Sequence, residues 1–512
     1  MTKSFALFGR IMMRPQLKLA RDLGMLWAGQ VMTKGVAFIA FAFLARRLLP
    51  SDYGAVEYAL GLATLAMLAI DGGLGSVGVR RLTQGQQSAE ELVALIPAAQ
   101  LCLAAVIGPA MIIFTLLFAN DPNALPLTCM VAFSVFILPW KQDWLFQAKG
   151  MMTHVVAAQS IRVLTFVLGC VFLVREDSHV LRVGIAEIAS VVFATAYLMI
   201  VQHRKIVPLR ARFIFNRLID LLKEGASIGL GSICWALFQY APLLMLAAMA
   251  GMTETAYFGA AHRLGVSLVT FSWIYHFNLY PVISRRVTND PAALARLTRA
   301  SIRATAWGGI GLALAMTLLA EPILMLLFGK DFIAAAAPFS ILVWTFPLTL
   351  LSGHARWILI ASKQGHEMLI SQLAGVAAAI PAAWLLIGPL GSLGAAAAMS
   401  LACTVVWVVS QYYTHKHGHE VPVLPAMPAM IAAAVIIAAA HMLALNPWLA
   451  GAIGMTVYLV AGFLFDRHLI ADMKSLIPGH MPAGETRRKE DEVRAADALM
   501  ATDGGTAAND SF

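Results

Sequence analysis

Runs of about 20 consecutive apolar residues, enough to cross the hydrocarbon core of a bilayer as a helix, recur fourteen times along this chain. Six lie near 23–44, 55–79, 91–118, 124–140, 155–174 and 181–201, and a polar stretch over 202–224 follows them. Six more lie near 225–250, 257–283, 301–328, 333–361, 368–387 and 391–413, and two Ala-rich runs near 427–445 and 447–465 close the series. The pattern predicts an all-α polytopic membrane protein of about 14 transmembrane helices, with two six-helix lobes around a central cavity and two C-terminal helices added. The chain then divides into an N-terminal segment (1–21), a first lobe (22–201), a basic connector (202–224), a second lobe (225–413), the last helix pair (414–465) and a polar tail (466–512).

Composition points the same way. With 60% hydrophobic residues, 13% charged residues and a mean hydropathy of +0.76, little of the chain is suited to a soluble surface. The net charge of +9 would fit a nucleic-acid partner, but its placement is that of a topology signal. Of the 37 Lys and Arg residues, 22 fall on the N-terminal segment and alternate loops, and only Arg46, Arg47, Arg175, Arg182 and Lys330 fall on the opposite loops. By the positive-inside bias, both termini are expected in the cytoplasm, and nucleic acid is excluded as a partner. The opposite loops, such as 119–123, 251–255 and 388–392, leave no room for an extramembrane catalytic domain.

Residues 5–19, apolar but interrupted by Arg10 and Arg14, read as an interfacial amphipathic helix rather than a cleaved signal. The mixed-charge stretch 482–512 reads as disordered or loosely helical. All five cysteines fall within apolar runs and form no CxxC pair, so neither a disulfide framework nor a zinc site is indicated. His415, His417 and His419 alternate in a loop, a spacing that serves a metal or, far more often, a solvated turn. No phosphate-binding Gly-rich loop is present, and no cofactor, metal or catalytic residue is expected.

The informative positions are polar ones inside the apolar runs. Four cations, Lys34, Arg162, Arg263 and Arg356, stand where lipid cannot solvate them, so each must face a wet cavity, a partner or the interface. Lys34 lies about 11 residues, or roughly 17 Å, from the inner end of its run, on one stripe with Trp27 and Gln30. Gln159, Arg162 and Thr165 form a second stripe, Arg263, Ser267 and Thr270 a third, and Ser232, Trp235 and Gln239 a fourth. Thr345, Thr349, Ser352 and Arg356 share a face too, with Arg356 near enough to the inner end to snorkel.

Glu57, Gly61, Thr64 and Asp71 line one face of the second run. Glu57 and Asp71 are candidates for ion coupling, or Glu57 sits at the interface while Asp71 caps a kink at Gly72-Gly73. His262, beside Arg263, either titrates or bonds a neighbour. The converging stripes predict a wet cavity whose substrate-binding cations are Lys34, Arg162, Arg263 and Arg356. Gln30, Gln159, Ser232 and Gln239 would line it, and it would favour an anionic group such as phosphate. A second-lobe echo of the first hairpin appears in Asp52-Tyr53-Gly54-Ala55 and Ala256-Tyr257-Phe258-Gly259-Ala260.

The turn Arg46-Arg47-Leu48-Leu49-Pro50-Ser51-Asp52-Tyr53-Gly54 resembles the signature turn of the polysaccharide transporter family, the oligosaccharide-lipid flippases. Asp71-Gly72-Gly73-Leu74, the segment from Tyr257 to Arg263, and Tyr280-Pro281-Val282-Ile283-Ser284 are similar to that family too. The resemblance implies membership of the multidrug/oligosaccharidyl-lipid/polysaccharide exporter superfamily. It further implies a flippase that moves a polyprenyl-pyrophosphate-linked oligosaccharide across the inner membrane by alternating access. The cargo would be an exopolysaccharide, O-antigen or capsule repeat unit, and membrane lipids and polysaccharide assembly machinery would be its partners. Two competing readings are an organic-cation antiporter of the same superfamily and a membrane glycan polymerase or glycosyltransferase. The first should carry acidic rather than basic cavity charge, and the second should carry larger outer loops.

Overall fold

The computed structural model describes residues 35–176, 179–208 and 214–476. Gln30, Lys34, residues 5–19 and residues 482–512 lie outside them. The described residues are helical, with short 3-10 turns and no strand. In chain order the helices are α1 (Gly35–Ala45), α2 (Pro50–Asp71), α3 (Leu74–Thr83), α4 (Ala89–Phe118), α5 (Ala124–Ile137), α6 (Asp143–Ala148) and α7 (Met152–Leu173). They continue as α8 (Leu181–Lys205), α9 (Phe215–Met249), α10 (Met252–Asn289), α11 (Pro291–Leu318), α12 (Ala320–Phe328) and α13 (Ala336–Leu342). The last are α14 (Thr345–Ala361), α15 (Gly365–Leu390), α16 (Ser392–Lys416), α17 (Met427–Met442), α18 (Pro447–Phe465) and α19 (Leu469–Leu476).

Among the described residues, eleven helical stretches are long and apolar enough to cross a membrane, or twelve if α11 and α12 form one bent span. The chain is a multi-pass membrane protein. The difference from fourteen lies at two places. Helix α10 occupies the expected eighth run but carries His262, Arg263, His276, Arg285 and Arg286, and it falls short of that apolar criterion. Helix α1 is described only from Gly35.

Local chemistry explains the breaks. The 72° bend between α11 and α12 falls where Pro322 lacks the N–H that a continuous helix would need to reach the carbonyl of Leu318. Helix α2 stops at Gly72 and Gly73, with φ of 51° and 76°, left-handed angles that glycine adopts without steric cost. The polar stretch 202–224 is less of a loop than its composition implies, because α8 runs to Lys205 and α9 begins at Phe215. Near the start of α9, Glu224 takes ion pairs from Arg80 and Arg81 of α3.

Helix α2 packs on both α9 and α10, and glycines make the approach close enough. A Cβ on Gly73 would come within 2.5 Å of the Gly225 carbonyl oxygen of α9. At the other end of α2, a Cβ on Gly54 would overlap Met252 of α10, while one on Gly259 of α10 would sit 2.6 Å from Glu57. The two echoed segments of sequence thus face each other, each lending a glycine to the other. Tyr53 and Tyr257 both meet Phe332 edge-on, with ring centroids 5.2 and 6.1 Å away. The signature turn completes this end, since Arg46 donates to the Leu326 and Leu327 carbonyls at the end of α12.

The last helices form a satellite on α11. Tyr458 of α18 donates to the Trp307 carbonyl at 3.1 Å, and Asp466 accepts from Trp307 Nε1 at 2.9 Å while pairing with Arg303 at 3.2 Å. Arg303 also pairs with Asp472 of α19, so the start of the polar tail folds back on the bundle. Asp466→Asn should therefore lower stability by about 1–3 kcal/mol, because Arg303 keeps Asp472 and is weakened rather than stranded, and differential scanning fluorimetry in detergent would show it. Large apolar side chains such as Phe118, Phe193, Leu326 and Phe463 remain on the outside, as a hydrocarbon solvent allows.

Candidate functional site

Arg162 projects from α7 and donates to Glu187 of α8 at 2.7 Å. Arg263 projects from α10 and binds Glu57 of α2 through Nε, with its guanidinium carbon 3.1 Å from the Phe41 ring centroid of α1. Both pairs border one cavity of about 470 Å³, whose wall also carries Thr64, Gln159, Tyr240 and Ser267. Lys141, just beyond the C-terminal end of α5, lines the same space and pairs with Asp143 at 2.6 Å. Each pair is single-pointed rather than a two-point fork, so neither guanidinium has its full donor set committed to a carboxylate. The side chains of Arg162 and Arg263 keep 30% and 25% of their surface exposed, against 9% and 5% for Glu187 and Glu57, so the cations are the more accessible partners.

Arg356 is elsewhere. It borders a smaller cavity of about 70 Å³ among α9, α10, α14, α15 and α16, with Gln239, Thr349, Ser352 and Gln372. Its Nε is buried, while the side chain as a whole is part-exposed. His262 and Val266 belong to both linings and form the partition between them. The His262 ring stacks on Phe258 at 5.6 Å and its Nε2 has no hydrogen-bond partner.

Other expected site residues fall differently. Asp71 ends α2 and accepts from the Gly75 backbone and from Gln100, so its geometry is that of a kink cap. Ser232 lines neither cavity; its hydroxyl donates to the Ile228 carbonyl at 3.2 Å. Gln159 and Gln239 each line one cavity, but not the same one. The histidine run is not a metal cluster among the described residues: His417 meets Glu367 at 2.9 Å and His419 meets Ser362 at 3.0 Å. Burial, then the neighbouring His417, lower the pKa of His419. The five cysteines are free.

Sequence reasoning missed Glu187, Lys141 and Phe41. Glu187 carried a signal, being a carboxylate inside an apolar run as Glu57 and Asp71 are. Lys141 reads as a loop lysine, and nothing in the local pattern aims it inward. On the opposite face of α2 from the ion pairs, an apolar crevice of about 570 Å³ runs between α2, α4 and α9, lined by residues such as Leu62, Phe114 and Leu244.

The model of a family described as polysaccharide biosynthesis protein matches residues 19–287, more than half of the chain and the part that supplies Glu57, Arg162, Glu187 and Arg263. The chain belongs to that family. Among solved structures, this polysaccharide biosynthesis family member is similar to the lipid II flippase MurJ in an inward closed conformation. The TM-score is 0.70 at 12% identity, over 87% of this chain and 99% of that one. It is also similar to a multidrug resistance MATE family transporter of the MOP superfamily in an inward-facing conformation. There the TM-score is 0.58 at 14% identity, over 75% and 94% of the two chains. At these identities the likeness is one of fold. No curated protein matches the chain.

Proposed function

We propose that this family member is a flippase for a polyprenyl-pyrophosphate-linked oligosaccharide, working by alternating access in the bacterial inner membrane with two helical lobes rocking about the central cavity. The observation that carries the reading is the pair of accessible guanidiniums, Arg162 and Arg263, on one cavity wall. A diphosphate brings more than one negative charge and planar oxygen pairs, which match guanidinium forks better than one carboxylate oxygen does. Substrate entry would exchange Glu187 and Glu57 for phosphate oxygens, and the released carboxylates become the groups most able to take up a proton or cation. The lipid tail would remain in the bilayer while the glycan crosses through the polar space. No bond is made or broken.

Lys34 belongs to the same proposal as a third cation. Family membership supports a lipid-linked glycan as cargo, and the closed signature-turn end supports a state open towards the opposite side.

The test is transport in proteoliposomes loaded with a fluorescent lipid-pyrophosphate-linked oligosaccharide. Arg162→Ala with Arg263→Ala should slow flipping about 100-fold or more, since each charge-assisted contact to phosphate is worth about 1.5–3 kcal/mol. Flipping at the wild-type rate in this variant would sink the role of the two arginines. One observation favours a second reading: two cavity carboxylates answer the two cavity arginines, which brings the site closer to that of an organic-cation antiporter. Uptake of a fluorescent organic cation without any flipping of the lipid-linked glycan would make that the function.

A further inference from the structure

The arginines of the central cavity have carboxylate partners, and Arg356 has none. Among the described residues it makes no ion pair and no hydrogen bond, its Nε is buried, and no carboxylate lines the 70 Å³ cavity it borders. A part-buried guanidinium without a counter-charge is costly, and an anion from solution would supply the charge that the protein does not. The remaining wall is suited to an anion. Gln372 and Gln239 bring amide groups whose NH₂ can donate to an anion, and the Gln239 side-chain oxygen has no partner that would hold the amide in one orientation. Ser352 and Thr345 already donate to backbone carbonyls at 3.1 and 2.6 Å and are not needed.

We propose that this cavity is a binding site for a small monatomic anion of the halide class, held by Arg356 with Gln372 and Gln239. A water takes about 30 Å³ of liquid volume, so a space of about 70 Å³ has room for a small anion such as a halide with a water beside it. The site is separate from the one proposed for substrate, and its existence does not depend on the flippase reading. The two touch only through the His262 and Val266 partition. An anion here would neutralise Arg356 and fix the contacts among α9, α14 and α15 beside the central cavity.

The test uses the purified full-length chain in detergent, with chloride exchanged for gluconate at constant ionic strength. Saturating chloride should raise the unfolding midpoint of the wild type by about 2–4 °C. Arg356→Met, which keeps much of the side-chain volume without the charge, should lose that response, and its midpoint in gluconate should equal or exceed that of the wild type. A response that persists in Arg356→Met but vanishes in Arg162→Gln overturns the assignment, as does a wild type indifferent to chloride. Should Arg356→Met fail to fold, anomalous diffraction from bromide-soaked wild-type crystals decides. A peak in contact with the Arg356 guanidinium supports the site, and density for water alone there refutes it.

Discussion

Glu57→Gln should cost this protein about 3 kcal/mol of stability and most of its transport. The substitution preserves volume, so the close approach of Gly259 to residue 57 is unchanged and the effect is electrostatic. Arg263 loses its carboxylate while remaining packed over Phe41. Breaking a buried pair by removing one member is worth about 3–5 kcal/mol, and the exposure of Arg263 to the cavity places this case at the lower end. Removing both charges with Glu57→Gln and Arg263→Met should restore most of the lost stability, because no charge is left stranded, yet transport should stay absent for want of the phosphate-binding guanidinium. The double-mutant cycle, read by thermal unfolding and by flipping in parallel, separates the two roles. Stability losses that simply add in the double variant would refute a direct Glu57–Arg263 coupling.

Gly54→Val should open the signature-turn end of the bundle. A Cβ at this position would lie 1.9 Å from the Met252 carbonyl oxygen. Backbone cannot rotate out of the way as a side chain can, so α2 and α10 must separate. Overpacking of this kind costs about 1–3 kcal/mol, charged to whichever state holds the two helices together. The contacts beside it are the Arg46 bonds to α12 and the Tyr53 packing on Phe332, and both should loosen. With Ala335→Cys, a buried neighbour of Phe332, as reporter, in a background where the exposed Cys102 and Cys129 are replaced by Ala, labelling by a membrane-impermeant maleimide should accelerate about tenfold. Unchanged labelling together with an unchanged unfolding midpoint would show that the helices are not held together by this contact.

Much of the fold was legible because lipid imposes a simple rule: a chain crossing hydrocarbon must satisfy its backbone within helices and cover them with apolar side chains. The same rule made Arg162 and Arg263 conspicuous, since a cation inside an apolar run needs an explanation. It could not supply the partners. Glu57 and Arg263 are 206 residues apart and meet only because α2 and α10 cross at reciprocal glycines. Arg356 shares the chemistry of the other arginines, and its stripe of hydroxyls was read correctly as one helix face. Its assignment to a common cavity went astray because the partition at His262 and Val266 is built by α10, not by the helix that carries Arg356. Ser232 illustrates the same limit: helical spacing puts it on a face with Gln239, but spacing does not say where a cavity ends.

By itself the sequence determined the helical class, most of the spans and the presence of stranded charges, because these follow from how each short stretch meets water or lipid. Only the tertiary structure decided which charges are answered, that Glu187 and Lys141 join the central cavity, and that Arg356 stands alone in another. Pairing and enclosure depend on distances of a few ångströms between helices remote in the chain, and those distances are fixed by packing rather than by local pattern.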